Sequence, residues 1–557
     1  MTRLNAANMA YTTLAAAIND EVTTLALADA TGFPVAPFMI TIGDEIIEVR
    51  SRTTTTCSDL IRGAEGTVAA AHSQGDSIEH RWTAGTLNRI WNDNDVVLGA
   101  GASLDGLNAV VVGRDALAGN LGDGSGDGHI TIGHGANTRV NKTQNHNNYI
   151  AIGTNAKTGC PGTFQEGIGG AIAIGHNAST LRPGQGEVDR GAVAIGWDAD
   201  ATKGNENIAI GYQAESGMSS VAIGGQASAL PASGISLGCR ATDTSSIGTA
   251  MGHIAIGHEA IVGNSGNISF GHIAIGYEAS TSINEATEIS GSIAIGITAE
   301  SLGTGSMAIG AAARTGNIGA GTGNNHVAIG HGASTLTTAA GARNDYIAMG
   351  NGALTGVHSG VTAAACGKAI AIGSGASTRT NIEHRGDRSA IAIGESAKAL
   401  HSDTIAIGRQ AEVTEGLASI AIGYNANVGV GTNNIAIGQS VSIVGPSITQ
   451  HHIVIGRGAK AGNLGSGINA SSIAIGDGAS VQVDTSSTTQ GMVAIGYNAV
   501  ATVSYDFVLG STSHNVKIPG TFEVLPDGGG MIVTTPDGTK RYRISVNDEG
   551  NVATTLL

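Results

Sequence analysis

From residue 96 to residue 509 the apolar positions follow one phrase: a branched residue, a small one, a second branched residue, Gly, two variable residues and Ala. Ile208-Ala209-Ile210-Gly211-Tyr212-Gln213-Ala214 is a clean copy, and the chain holds 24, with the Gly at positions from 99 to 510. Branched positions two apart share one face of a β-strand, so each phrase predicts a short strand ending at a glycine corner. Stacked copies would align the branched residues into aliphatic ladders. These ladders, Ile422 among them, are expected inside the fold, each buried Ile contributing about 1.5–3 kcal/mol. The residue between them is Ala in 18 of 24 copies, and the residue three after the Gly is Ala in 22 of 24. Such a preference for small side chains is expected where another copy of the chain packs closely.

The spacing defines one repeat. Of the 23 intervals between motif glycines, nine are 13 to 15 residues and fourteen are 18 to 23. Fourteen residues suffice for two short strands and two turns, one rung of a parallel β-roll, and the longer intervals add a loop after the last Ala. Repetition of this kind predicts a solenoid. At about 4.8 Å per rung, 23 intervals span roughly 110 Å.

The pattern changes at both ends. Within residues 1–82, stretches 23–27, 38–42 and 45–49 read as strands, with Gly43-Asp44 as a hairpin signal between the last two. Residues 83–95 predict a short helix or linker, since Leu87, Ile90 and Trp91 fall at i, i+3, i+4. Residues 514–557 predict an antiparallel meander of strands 531–535, 541–546 and 552–556, separated by Pro-Asp-Gly and Asn-Asp-Glu-Gly-Asn turns. Such a segment suits the cap that the open end of a solenoid needs.

The phrase Val/Ile-Ala-Ile-Gly-x-x-Ala on a 14-residue base resembles the head repeats of trimeric autotransporter adhesins, over roughly residues 96–513. That resemblance implies an all-β, left-handed parallel β-roll assembled as a homotrimer. Gly32-Phe33-Pro34, Arg62-Gly63-Ala64-Glu65-Gly66-Thr67 and His72-Ser73-Gln74-Gly75 resemble small domains of bacteriophage virion proteins. The run from Pro536 to Asn551 resembles the last segment of many phage fibre proteins. Together these imply a trimeric fibre of the virion, on its tail or head, anchored through residues 1–82 and engaged in host-surface attachment. Alternatives are a trimeric bacterial surface adhesin and a capsid-attached decoration fibre.

Composition sharpens this picture. The chain has 557 residues, 86 of them Gly and only 3% aromatic, and a thin roll has little room for rings. Net charge is −16, or −48 for three copies (3 × −16), and no basic stripe appears, which argues against a nucleic-acid partner. Cys57, Cys160, Cys239 and Cys366 match no disulfide or metal spacing and are expected as free thiols. No secretory signal and no 18-residue apolar run is visible, so the expectation is a virion protein assembled in the host cytoplasm, without membrane insertion. An enzyme is not expected, since no paired carboxylates recur at strand spacing. No cofactor is expected either. Asp123 and Asp127, in a Gly-Asp-Gly-Ser-Gly-Asp-Gly run, form the one candidate calcium site. His72 is expected to stabilise a turn. Arg385-Gly386-Asp387 is the tripeptide that integrins read, and His451-His452 would suit an axial metal or anion.

Overall fold

A computed structural model describes residues 10–81, 83, 95–120, 126–140, 147–159, 170–180, 191–204, 206–230, 232–244, 250–263, 269–281, 289–316, 324–335, 343–356, 366–378, 389–445, 450–465, 469–483, 488–520, 531–535, 537, 539–546 and 549–557. Residues 84–94 of the helix or linker expected at 83–95, and most inserted loops of the long rungs, lie outside them. The chain divides into two units, residues 1–368 with 381–384, and residues 369–380 with 385–557.

In the first unit, residues 10–83 form a six-stranded antiparallel sheet. Its order is Tyr11–Thr13, Ser77–Glu79, Phe38–Ile42, Glu45–Arg52, Thr56–Ile61 and Thr24–Ala26. Ile42 pairs with Glu45 across a two-residue turn, and Gly43 adopts φ 59°, as a hairpin with Gly first requires. Phe38, Ile40, Ile42, Ile47, Val49 and Ile78 fill its core.

The repeats are a parallel β-solenoid. Every phrase forms a three-residue strand, and within each unit the strands pair in register with the same phrase of the next rung, as Ile208-Ala209-Ile210 does with Val221-Ala222-Ile223. Fifteen such strands run from Val96–Leu98 to Ile347–Met349 in the first unit, and nine from Ile370–Ile372 to Phe507–Leu509 in the second. A return strand follows the motif's last Ala in many rungs. Asp200–Lys203, Glu215–Gly217, Ser228–Ala229, Thr242–Asp243 and Ile261–Val262 make one return sheet, and six segments from Lys398–Ala399 to Ser480–Val483 make another. A rung is therefore two strands and two turns, as the 14-residue interval predicts.

The inside and outside of the roll are the reverse of the sequence expectation. In the rungs between the first and the last, the residue between the two branched positions is fully buried, while the branched positions are partly exposed, Ile422 included. The Ala three after the Gly is buried as well, except for the partly buried Ala102 of the first rung. A repeating set of four side chains fills the rungs: the residue before the phrase, its central residue, its last Ala, and the residue two further on. In one rung these are Asn207, Ala209, Ala214 and Ser216, and in another Ser419, Ala421, Ala426 and Val428, all fully buried. The physical reason is cross-section. Two three-residue strands joined by tight turns enclose space for about four side chains, one of which, the residue before the phrase, is as large as Tyr149 or Tyr346 in two rungs, and period-2 alternation then sends both branched residues of each strand outward. The small-residue rows consequently fill the chain's own interior instead of meeting a neighbouring copy.

The glycine corner explains why the repeat is strict. Each motif Gly adopts φ between about 125° and 142° in the regular rungs, and its Ala partner donates back to it in a four-residue turn, as Ala214 N–H does to Gly211 O at 3.4 Å. A Cβ on Gly211 would lie 2.3 Å from the carbonyl oxygen of Gly224 in the next rung. Close approach between rungs, together with the positive φ, excludes any side chain there. The residue two after the Gly takes a left-handed φ near 55°, which Asn155, Asn177, Asp198 and Asn425 tolerate well.

At the C-terminus, Met531–Thr534, Arg541–Val546 and Val552–Leu556 form a three-stranded antiparallel meander, close to the bounds expected from its turns.

Candidate functional site

The feature most able to interact is the outer face of the motif sheet. Alternation places both Ile of each strand on it, and in-register pairing aligns them in two parallel columns along each ladder. The fifteen strands of the first unit stack over about 67 Å at 4.8 Å per interval. Parallel sheets are ordinarily covered on both faces, and contiguous exposed apolar patches above a few hundred Å² mark interaction sites. Among the described residues of each unit, no helix or strand layer lies over this face.

At the adjoining corner the side chains after the Gly stack from rung to rung. Trp197 packs on His176 with ring centroids 4.7 Å apart, Tyr277 stacks on His258 at 5.3 Å with planes 6° apart, and the Arg409 guanidinium lies 4.4 Å from the Tyr424 ring. The next position carries a polar row: Asn177 Nδ2 donates to Asp198 Oδ1 at 3.0 Å, and Arg240 donates to Glu259 Oε1 at 2.8 Å. These contacts tie successive rungs together through exposed groups, each contributing modestly in water.

Titratable groups also sit inside the roll. His253 Nδ1 lies 2.9 Å from Asp243 Oδ2, both fully buried, and the His253 ring meets the His272 ring edge-on at 5.0 Å. His129 and His326 reach Thr138 and Thr335 in the same way, at 2.9 and 3.0 Å. His452 occupies this same interior row, whereas His451 is exposed on the turn before it, so the two do not form a shared surface site. Buried positions of this kind satisfy polar atoms and offer a substrate no access.

The strongest electrostatic cluster is in the N-terminal sheet. Glu45, 1% exposed, accepts two charge-assisted bonds from Arg62 at 2.7 Å, the N–H of Gly63 at 2.9 Å and of Ala70 at 3.2 Å, and lies 2.7 Å from His72 Nε2. Arg62 continues to the carbonyls of Asn19 and Ala70. His72 thus does more than hold its own turn: it joins a hub that fastens four segments. Burial pushes the Glu45 carboxyl up, but the bonds from Arg62, Gly63, His72 and Ala70 outweigh it and hold the group near 2, against an ordinary value of 4.5. A depressed carboxyl stabilises the fold above its unfolded value and loses that contribution as pH falls through its folded value. The N-terminal sheet should therefore lose about 3 kcal/mol between pH 4.5 and 2. Urea unfolding of the full chain, followed by hydrogen exchange of residues 38–61, measures this, and Glu45→Gln should remove that part of the pH dependence.

Of the calcium pair, Asp123 lies outside the described residues. Asp127 Oδ1 accepts the Leu107 N–H at 2.9 Å, and its own N–H donates to Asn147 Oδ1. No group of three His, Cys, Asp or Glu suited to a metal occurs among the described residues. Arg385-Gly386-Asp387 is also outside them. Cys57 is a free, buried thiol, pushed up to about 11 by burial against the opposing effect of Arg52, and Cys239 is free and exposed. No helix is long and apolar enough to cross a membrane among the described residues. Sequence reasoning missed both the Ile face and the Glu45 hub. The 14-residue rung was the signal for the first. The second had only a weak one, a carboxylate directly ahead of two isoleucines at the start of its strand.

No protein-family model matches the chain, and no curated protein matches it.

Proposed function

We propose that three copies of this chain assemble through their isoleucine faces into the rod of a bacteriophage fibre, attached to the particle by residues 1–82 and directed at the host surface. The observation that carries the assembly is the pair of outward Ile columns, repeated strand after strand. Burying half-exposed Ile removes apolar area from water at about 25 cal/mol per Å², and the uniform columns let copies meet in parallel with every rung equivalent. Interior rows of small residues keep each rung thin enough to sit beside others round an axis. The copy number of three and the left-handed roll come from the resemblance to trimeric adhesin heads. The virion assignment rests on the phage-like phrases within residues 1–82 and 536–551. Such a rod works by rigidity and recognition.

Light scattering of the purified chain should give three times its 55.3 kDa mass; a monomer at micromolar concentration overturns the assembly. Truncation of residues 1–82 should leave that mass ratio unchanged. When it complements a phage lacking the protein, the truncated chain should be missing from particles. Recovery at normal copy number would move the anchor elsewhere.

A further inference from the structure

The C-terminal meander leaves its apolar face uncovered. Register places Met531 opposite Ile544 and Thr554, Val533 opposite Tyr542 and Leu556, and Val546 opposite Val552. Opposed residues share a face, as do residues two apart on one strand, so all of these point to the same side. The other side carries Thr534, Arg541, Arg543, Ser545 and Thr555, with Ile532 and Ala553 as its apolar members. The apolar side is open: Val552 is 69% exposed, Leu556 58% and Met531 48%. A three-stranded sheet needs a covered hydrophobic face for independent stability, and here none of the described residues supplies the cover.

We infer that the occupant of this face is the same face of the other copies of this chain, making the meander a clamp that closes the end of the assembly. Two features of the sheet select a second copy over a different partner. The face is self-complementary, since its polar members, Tyr542 and Thr554, are uncharged and copies meet there without burying an ion. Its charges, Arg541 and Arg543, are on the far side, so association through this face buries neither of them further. Its size sets the role. Strands of about six residues and three strand widths give a footprint of roughly 280 Å² per copy, well below the roughly 800 Å² per partner of a stable interface. The clamp therefore rests on the assembly proposed above, closing copies already held along their Ile columns, where effective concentration makes a small contact sufficient.

The test uses the full-length chain with single cysteines and a short bismaleimide cross-linker, with the unsubstituted chain as the baseline for native thiols. Val533→Cys and Val546→Cys, on the apolar face, should give covalent pairs at least fivefold above that baseline. Thr534→Cys and Ser545→Cys, on the other face, should stay at it. Light scattering on the same samples separates the two ideas. A trimer whose cross-linking is absent or equal on both faces overturns the clamp and leaves the assembly standing, whereas a monomer overturns the assembly and the clamp with it. As a second readout, Ile544→Asp should keep the trimeric mass but raise hydrogen exchange at residues 541–546 at least tenfold. Unchanged exchange there would also overturn the clamp.

Discussion

Gly423→Ala is expected to unfold the rungs around it. Gly423 adopts φ 134°, and an added Cβ would sit 2.3 Å from the carbonyl oxygen of Gly438. Both obstacles act together. The backbone is one that L side chains rarely adopt, and the obstructing atom belongs to the backbone of the next rung, which cannot rotate away. Left-handed strain alone costs about 1–2 kcal/mol, and overpacking adds about 1–3 kcal/mol, so a loss of about 3 kcal/mol or more should appear in urea unfolding. The matched control is Gly375→Asn. Its φ of 64° is one that Asn tolerates, and the nearest atom to an added Cβ is the Ser396 hydroxyl at 3.6 Å. That variant should unfold within about 0.5 kcal/mol of the parent. An equal loss in both would mean the glycine column is not the close contact between rungs.

The second large effect separates inside from outside on one strand. Ala421 is fully buried among three other inward side chains of its rung, and Ile422 beside it faces out. Ala421→Leu adds three carbons where the interior has no space for them and should cost about 3 kcal/mol, with urea unfolding as the measure. Ile422→Asp places a carboxylate on the outer face, where in a single chain water reaches it. It should leave the fold of the rung intact, with near-parental circular dichroism, while weakening association as read by light scattering. The converse result, with Asp at 422 unfolding the chain and Leu at 421 tolerated, would return the isoleucines to the interior.

The contrast between 421 and 422 shows how far the sequence could be read. The phrase, its 24 copies and the 14-residue interval determine a parallel solenoid on their own, because no other arrangement stacks so short a repeat. Strand positions followed from period-2 alternation, and the meander at 531–556 from its turn residues. Alternation assigns residues to two faces, however, without saying which face is in. The usual inference that the larger apolar residue is buried fails here, because the volume enclosed by a rung is set by two strands and two tight turns closing in three dimensions. The Ala insistence was legible as a demand for closeness, and only the closed rung decided that the close neighbour is the chain itself.

The same division holds for the sites. Gly43-Asp44 announced its hairpin because turn chemistry is local. The bonds that gather Arg62, Ala70 and His72 around Glu45 span up to 27 residues, and no local pattern encodes which carboxylate collects them. Asp243 and His253, ten residues apart, meet only because a return strand brings the chain back beneath its own motif. The sequence by itself determined the repeat, the rung and the strands. The tertiary structure decided which face each strand buries, since burial depends on how much space the closed rung encloses and not on which residue is more apolar.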